Sequence, residues 1–231
     1  MSSNKYYEQG NYELETQAFS GTPSNPAYSG EVKKWFGLME LSFESSQDAT
    51  AISADDDANF LDMRPPMVLT GTVKVTGMKV SDYSKLFNVR QDSNGMYLFG
   101  SRAQDKEVGL AFKNTGYDEN GMLLTNKFIL FRVKLALPNI GTESLNEAGD
   151  TIREFSIGVK ASYVKYTYTD TDTNTQKEDT ATYGNFNSVD HAAIWDTIKD
   201  GIFPPNAVLP EPEPEPEPEP TPEEQTEQNP I

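Results

Sequence analysis

Two long runs in which apolar and polar residues alternate constrain this fold more than any other feature of the sequence. They span Lys127–Leu137 and Thr151–Thr169, on either side of Gly141. The apolar residues of one parity are Ile129, Phe131, Val133, Leu135 and Leu137 in the first run, and Phe155, Ile157, Val159, Ala161 and Tyr163 in the second. A period of two indicates a strand with one buried and one solvated face. Such runs are longer than the usual strand of about 5–6 residues. They therefore predict strands that extend beyond their own domain and complete their pairing on a neighbouring copy.

Further strand-like segments surround these two runs, and the first run extends back to give a strand over Leu123–Leu137. The other segments are Tyr12–Phe19, Glu31–Phe43, Val68–Val80, Met96–Phe99, Glu107–Lys113 and Thr180–Phe186. Asn94-Gly95 and Asn120-Gly121 lie between such segments. Asn-Gly favours a tight hairpin turn because both residues accept positive φ. The sequence therefore predicts an antiparallel series of strands.

Two helices are predicted. One covers Val80–Asn88, with Ser81 as its N-cap and apolar residues at helical spacing. The other covers Val189–Lys199, with Ser188 as its cap and Gly201 just beyond its end. The expected fold is mainly β: a β-sandwich or barrel of antiparallel strands with a flanking α-helix and a C-terminal helix.

Composition divides the chain into three parts. Residues 1–30 are polar and tyrosine-rich and predict an N-terminal arm, whereas residues 31–203 carry the β domain. From residue 204 to 231 proline and glutamate dominate, which predicts a disordered tail because such a segment buries no core. Within the β domain, Glu44–Pro66 shows no apolar periodicity and predicts a long unstructured linker.

Charge and composition narrow the class of protein. The chain of 231 residues has no cysteine and a formal net charge of −17. Eight of these negative charges are glutamates after residue 210, which leaves −9 for the rest (−17 + 8). So acidic a protein is not expected to grip nucleic acid, because phosphate binding depends on lysine and arginine. An acidic protein surface of this kind is compatible with DNA that slides past it without binding. No apolar run follows the first residues, so we expect neither a signal peptide nor a membrane span.

The sequence offers little support for catalysis. His191 is the single histidine and has no recognisable serine or aspartate partners. Asp170-x-Asp172-x-Asn174 begins like a calcium loop, but Thr175 replaces the required glycine and Ala181 replaces the bidentate glutamate. We interpret it as a hairpin tip, and the acidic run Asp55–Asp57 as a solvated loop. The expectation is a protein that is not an enzyme and has no cofactor and no metal.

The order of the motifs resembles a known family. The loop Ser53-Ala-Asp-Asp56, the strand Val108-Gly109-Leu110 and the passage Pro138-Asn-Ile-Gly-Thr142-Glu143 follow one another at similar spacing in the major tail proteins of long-tailed bacteriophages, phi13-type. The resemblance covers roughly residues 30–170. The Pro/Glu tail and the C-terminal helix depart from the minimal family form.

The resemblance implies a structural subunit of a phage tail tube, located in the virion and made in the host cytoplasm. Six copies would close into a ring, and rings would stack around a channel for DNA ejection. Implied partners are further copies of the chain, the tape measure, terminator and distal tail proteins, and double-stranded DNA passing non-specifically, with no membrane. Candidate self-assembly residues are Tyr6, Tyr7 and Tyr12 in the arm and Ile52, Asp55, Asp56, Phe60 and Met63 in the linker.

Two other functions stay open at this point. One is a non-catalytic surface-binding or adhesin-type module on a Pro/Glu stalk. The other, far less favoured, is a metal-assisted hydrolase that uses Asp55–Asp57.

Overall fold

A computed structural model describes residues 7–35, 37–47, 50–54, 57–63, 65–76, 86–87, 89–98, 106–117, 121–137 and 154–207. Within them lie fourteen strands. These are β1 (Tyr7–Phe19), β2 (Tyr28–Trp35), β3 (Leu38–Ser46), β4 (Thr50–Ala54), β5 (Asp57–Met63), β6 (Val68–Thr76), β7 (Arg90–Gln91), β8 (Tyr97–Leu98), β9 (Glu107–Tyr117), β10 (Leu123–Ala136), β11 (Glu154–Ser162), β12 (Val164–Thr169), β13 (Gln176–Ala181) and β14 (Tyr183–Asn187). A 3-10 turn (Ala192–Ile194) leads into the short helix α1 (Trp195–Ile198). Neither of these helical segments has the length and apolar character that a membrane crossing requires.

One large antiparallel sheet organises the chain, and the fold is the mainly β architecture that the sequence predicts. Its strand order is β2-β1-β9-β10-β11-β6-β3. Strand β10 lies at the centre, with β9 along one edge. Its other edge is divided, because Asn126–Leu130 pairs with β14 and Arg132–Ala136 pairs with β11. The small hairpins β4–β5, β7–β8 and β12–β13 form separate two-stranded sheets.

The sheet curls around a main apolar core. Side chains from β1, β2, β6, β9, β10 and β11 all belong to this cluster. A small apolar cavity shows how they meet, since Leu14 of β1 lines it together with Val73 of β6 and Ile157 of β11. Strand β1 therefore lies across the core from β6 and β11. Leu86 and Phe87 are buried in the same core, and the remainder of the predicted helix Val80–Asn88 lies almost wholly outside the described residues.

A second apolar cluster lies on the outside of the curled sheet. It contains Ala111 of β9, Ile129 and Phe131 of β10, and Val164 and Ile202. The segment around Ile202 thus covers part of the outer face of the sheet. Strand β10 packs apolar side chains on both of its faces.

The first alternating run is a single strand, but its odd-numbered apolar residues are divided between the two apolar clusters. Ile129 and Phe131 belong to the outer cluster, whereas Val133 and Leu135 belong to the main core. The reason is a register shift between Leu130 and Val133 in the pairing of β10 with β9. Such a bulge reverses the faces that follow it. The prediction of one packed face along this run is therefore wrong.

The second run is divided into two strands. Residues 155–161 alternate as predicted, with Phe155, Ile157, Val159 and Ala161 in the main core. The buried parity then changes, because Val164 is buried and Tyr163 is only half-buried. Strand β11 pairs with β10 and β6, while β12 pairs with β13. The expectation of one strand over Thr151–Thr169 is wrong for its described part, which is interrupted at Tyr163. The expectation that the two runs complete their pairing on a neighbouring copy is also wrong for β10 and β11: β10 pairs along both edges with strands of its own chain, and β11 lies between β10 and β6.

Three further sequence expectations change. Glu44–Pro66 is not a structureless linker, because β4 and β5 form a hairpin within it. Residues 7–19 of the predicted arm are an interior strand between β2 and β9. The predicted tail begins later than residue 204, because Asn206 Nδ2 donates to Thr167 O and Oγ1 at 2.7 Å each.

The C-terminal helix is shorter than expected. Helix α1 covers only Trp195–Ile198. Ser188 does not cap it, since Ser188 Oγ instead accepts the backbone N–H of Thr125 at 2.9 Å. The Asn94-Gly95 hairpin is as predicted, joining β7 to β8 with Gly95 at φ +84°.

Candidate functional site

A row of charged residues crosses the outer face of four adjacent strands, β2, β1, β9 and β10. Lys34 of β2 lies directly opposite Glu15 of β1. Lys113 of β9 lies directly opposite Lys127 of β10. Glu15, Lys113 and Lys127 are all buried. We call these four residues the charged row.

The segment of residues 188–207, which we call the strap, lies over this row. Lys127 Nζ donates to the carbonyl oxygens of Ile198 at 3.3 Å and Lys199 at 3.1 Å, and also to that of Gly201. These carbonyls belong to the end of α1 and the residues after it, which have no partner within the helix. The ammonium group of Lys127 therefore caps the C-terminal end of α1, where a positive charge is favoured.

Glu15 holds both the lysine and the strap. Its Oε2 accepts from Lys127 Nζ at 3.0 Å and from the backbone N–H of Gly201 at 3.2 Å. Lys127 and Glu15 are 0% and 1% exposed, so this ion pair is removed from water. Burial lowers the pKa of Lys127, and the neighbouring Glu15 carboxylate opposes that shift.

Asp200 of the strap joins the other two lysines. Its Oδ1 accepts from Lys34 Nζ at 2.7 Å and from Lys113 Nζ at 3.3 Å. Lys113 Nζ also donates to Glu13 Oε2. The hydrogen bond from Lys34 lowers the pKa of Asp200, and the same bond raises the pKa of Lys34.

The carboxylates of Glu13, Glu15 and Asp200 come close enough to suggest a cation site, with one oxygen of each within 4.8 Å of the others. Three lysines already neutralise these three carboxylates. A cation would have to displace a buried ammonium group, which is unfavourable because a buried unpaired charge costs several kcal/mol. The arrangement fits a structural clasp for the strap.

Apolar contacts complete the attachment of the strap. Ile198 and Ile202 are buried, and Phe203 packs against the outer cluster. Tyr28 packs there too and donates from its hydroxyl to Phe131 O at 2.7 Å; burial raises its pKa. A Cβ at Gly109 would lie only 2.5 Å from the Tyr28 ring and 2.8 Å from Ile202 Cγ2, so this close packing requires glycine.

The rest of the outer sheet face is polar, and no segment within the described residues covers it. Three rows run across β11, β6 and β3, extended in places by the end of β10. Their members are Lys134, Lys160, Thr70 and Glu44; Ala136, Gly158, Thr72 and Ser42; and Ser156, Lys74 and Glu40. Most of these side chains are exposed and none is large and apolar. We call this surface the polar face.

The predicted self-assembly residues fall on two separate elements. Tyr7 and Tyr12 are in β1, where their pairing partners are Tyr117 and Lys113 of β9. Ile52 is in β4, and Phe60 and Met63 are in β5. Tyr6, Asp55 and Asp56 lie outside the described residues. The structure thus brings Ile52, Phe60 and Met63 into one hairpin and places Tyr7 and Tyr12 in a different strand.

Sequence reasoning missed the charged row. A lysine within an alternating strand normally faces water, so Lys113 and Lys127 gave no signal of burial.

His191 has a local role, since its Nδ1 accepts the N–H of Asn187 at 3.3 Å. Asp170 Oδ1 accepts the N–H groups of Asp172 and Thr173, and these residues form the tip of β12–β13, as the sequence predicts.

Comparison with known proteins does not identify a family. No protein-family model matches the chain, and no curated protein matches it either. The function is therefore argued from the geometry of the strap, the sheet edges and the polar face, together with the order of the sequence motifs.

Proposed function

We propose that this protein is a structural subunit of a phage tail tube, in which hexameric rings stack around a channel for DNA ejection. The observation that carries the proposal is the form of the main sheet. It curls around one core, and within the described residues it ends in an unpaired edge on each side and leaves a regular polar surface uncovered. The motif order described above supports the same class of protein.

The two sheet edges favour a closed ring. Strands β2 and β3, of eight and nine residues, each pair with one neighbour in the described sheet. Unpaired strand edges promote association with other chains, and closure of the sheet removes them. Edge-to-edge contact between β2 of one copy and β3 of the next is heterologous, so it generates a ring when the rotation closes.

Two hairpins supply candidate contacts between rings. The β4–β5 and β12–β13 hairpins pair only within themselves in the described residues. An isolated two-stranded hairpin is marginally stable in water, which favours contact with another copy. The β4–β5 hairpin carries Ile52, Phe60 and Met63 of the predicted assembly set.

The mixed charge of the polar face supports passage of DNA without adhesion. Lys74 and Glu40 on the polar face form an ion pair at 2.5 Å, so these charges largely cancel. Beyond about 8–10 Å, charges on the wall are screened at ordinary salt. Tape measure, terminator and distal tail proteins would be the further partners, and the virion tail the location.

A non-catalytic surface-binding module is the second candidate. The observation that favours it is a tyrosine pair on the exposed β12–β13 hairpin, where the rings of Tyr166 and Tyr168 lie 6.0 Å apart. Exposed aromatic rings suit flat ligands such as sugar rings. Specific retention of the monomer on cell-wall polysaccharide, lost in Tyr166→Ala/Tyr168→Ala, would favour this function over the tube.

Negative-stain electron microscopy and sedimentation of the purified full-length chain test the proposed function. We expect rings or tubes whose amount rises with protein concentration. Particles that stay monomeric at high concentration would contradict the proposal.

A cross-linking experiment tests the edge contact. The chain has no cysteine, so Ser29→Cys on β2 and Ser46→Cys on β3 introduce the only thiols. With a bismaleimide, the double variant should give a ladder of products ending at the hexamer. Each single variant serves as the matched control, because one thiol per chain cannot link more than two subunits.

A further inference from the structure

The subunit has two different outer surfaces on opposite sides of its core. The strap covers β1, β9 and the first half of β10, whereas the polar face lies on β11, β6 and β3. Leu14 of β1 meets Val73 of β6 and Ile157 of β11 across the core. If one of these two surfaces faces the channel of a ring, the other surface therefore faces the outside of the ring.

The polar face is suited to a channel wall. Its central positions are small, with Gly158, Thr72 and Ser42 in one cross-strand row. No described segment crosses it, and it needs no apolar cover. A duplex that slides along such a wall meets short hydroxyl side chains and charges of both signs, three lysines and two glutamates, of which Lys74 and Glu40 form an ion pair.

The strap side is unsuited to a channel wall. The strap ends at Ala207, and Asn206 fixes this end to β12 through Thr167. The chain continues from there with eight glutamates and no lysine or arginine. Within a narrow channel these residues from every copy would compete with DNA for space and repel its phosphates.

We propose that the polar face lines the channel and that the strap faces outward, so that the Pro/Glu segment of every copy leaves on the outer wall. This inference rests on the proposed function. It assigns the channel surface to β11, β6 and β3, and it makes the outer surface of the particle a layer of acidic chains.

Cysteine accessibility on assembled tubes tests the orientation, because the natural chain contains no competing thiol. Ser156→Cys places a thiol on the polar face, and Ala193→Cys places one on the strap; both positions are exposed in the subunit. Each variant is treated, as dissociated subunits and as assembled tubes, with N-ethylmaleimide and with a branched high-molecular-weight maleimide–polyethylene glycol.

We expect assembly to abolish labelling of Ser156→Cys by the large reagent while N-ethylmaleimide still reacts. Ala193→Cys should react with both reagents in both states. Protection of Ala193→Cys with free labelling of Ser156→Cys would reverse the orientation and overturn the inference. Labelling of both variants by the large reagent in intact tubes would also overturn it, because the polar face would then not be enclosed.

The outcomes separate this inference from the proposed function. Tubes with the wrong protection pattern leave the tube function standing and remove only the orientation. If neither variant nor the natural chain forms rings or tubes, the proposed function fails and the orientation fails with it.

Discussion

Lys113 and Lys127 lie directly opposite each other on neighbouring strands, and both side chains are buried. Like charges in this position destabilise a sheet, so their presence requires compensating carboxylates. Glu13 and Glu15 of β1 and Asp200 of the strap supply them. The strap is therefore part of the folded domain, because without Asp200 the buried lysines of the sheet lack part of their compensating negative charge.

Replacement of Lys127 with methionine should strongly destabilise the protein. The variant keeps the apolar stem but removes the close partner of the buried Glu15 carboxylate, whose remaining cation, Lys34 Nζ, lies 3.8 Å away, and it leaves three carbonyl groups without their donor. Loss of one partner of a buried pair costs about 3–5 kcal/mol. Urea unfolding measures this loss. The matched control is Lys160→Met on the exposed polar face, which should change stability by about 0.5 kcal/mol or less.

A double-mutant cycle separates the ion pair from the carbonyl contacts. Glu15→Gln in the Lys127→Met background removes the carboxylate that has lost its close partner. The double variant should therefore be less destabilised than the sum of the two single variants, with a coupling of about 0.5–3 kcal/mol. Strict additivity would show that Glu15 and Lys127 do not act as a pair.

The stability contributed by Asp200 should depend on pH in the acid range. The hydrogen bond from Lys34 lowers the pKa of Asp200 below its ordinary value of 3.8. The folded state therefore favours the ionised form, so the contribution is complete above pH 3.8 and is lost as the pH falls below that value. Asp200 is about half exposed, which limits the effect to roughly 0.2–1 kcal/mol.

Asp200→Asn provides the comparison. The difference in unfolding free energy between the natural chain and this variant should be constant near neutral pH and shrink as Asp200 becomes protonated. A difference that grows on acidification would contradict the assignment.

Gly109→Ala should destabilise the protein through overpacking. The added methyl group meets the Tyr28 ring and Ile202, and overpacking of a well-filled site costs about 1–3 kcal/mol. Thermal unfolding measures the effect. Combining Gly109→Ala with Tyr28→Ala, which makes space, should be less harmful than the sum; equal or greater harm would show that another contact limits this position.

Two truncations should behave differently. A chain that ends at Ala207 keeps the whole strap and should fold and assemble like the full-length protein. A chain that ends at Asn187 loses the strap, exposes Ile129 and Phe131 and leaves Lys127 without its carbonyl partners. It should be insoluble or lack cooperative unfolding. A stable, soluble 1–187 chain would contradict the role of the strap.

Replacement of residues 50–63 with a short Gly-Ser turn should leave a folded subunit that assembles poorly. In the described residues β4 and β5 pair only with each other, so the main sheet keeps its contacts. Circular dichroism and unfolding test the fold, and sedimentation tests assembly. Full-length tubes from this variant would remove the β4–β5 hairpin from the contacts between rings.

The sequence predicts most strands because their burial follows local alternation. Residues 155–161 show this well, since β6 pairs along one edge, β10 pairs with residues 158–162 along the other, and only one face is packed. The alternation does not predict which face of the sheet Phe131 lies on, because a bulge leaves no trace in the order of apolar residues. It fails again in β10 as a whole, where the two faces pack against different clusters.

The charged row lies beyond local sequence reasoning for a different reason. Its members come from β2, β1, β9 and β10, and they meet one another and the strap only after the sheet has formed. Nothing next to Lys127 in the sequence distinguishes it from a solvated lysine such as Lys160. The burial of these lysines depends on which strands pair with one another, and a local pattern along the chain does not contain that information.

The way in which the strap is held has a mechanical consequence. A pull on the chain at Ala207 meets first the hydrogen bonds between Asn206 and Thr167, then Phe203 in the outer cluster, and then the buried ammonium group of Lys127. Tension on the acidic end of this chain therefore has to break a series of contacts before it reaches β14 and, through β14, the main sheet.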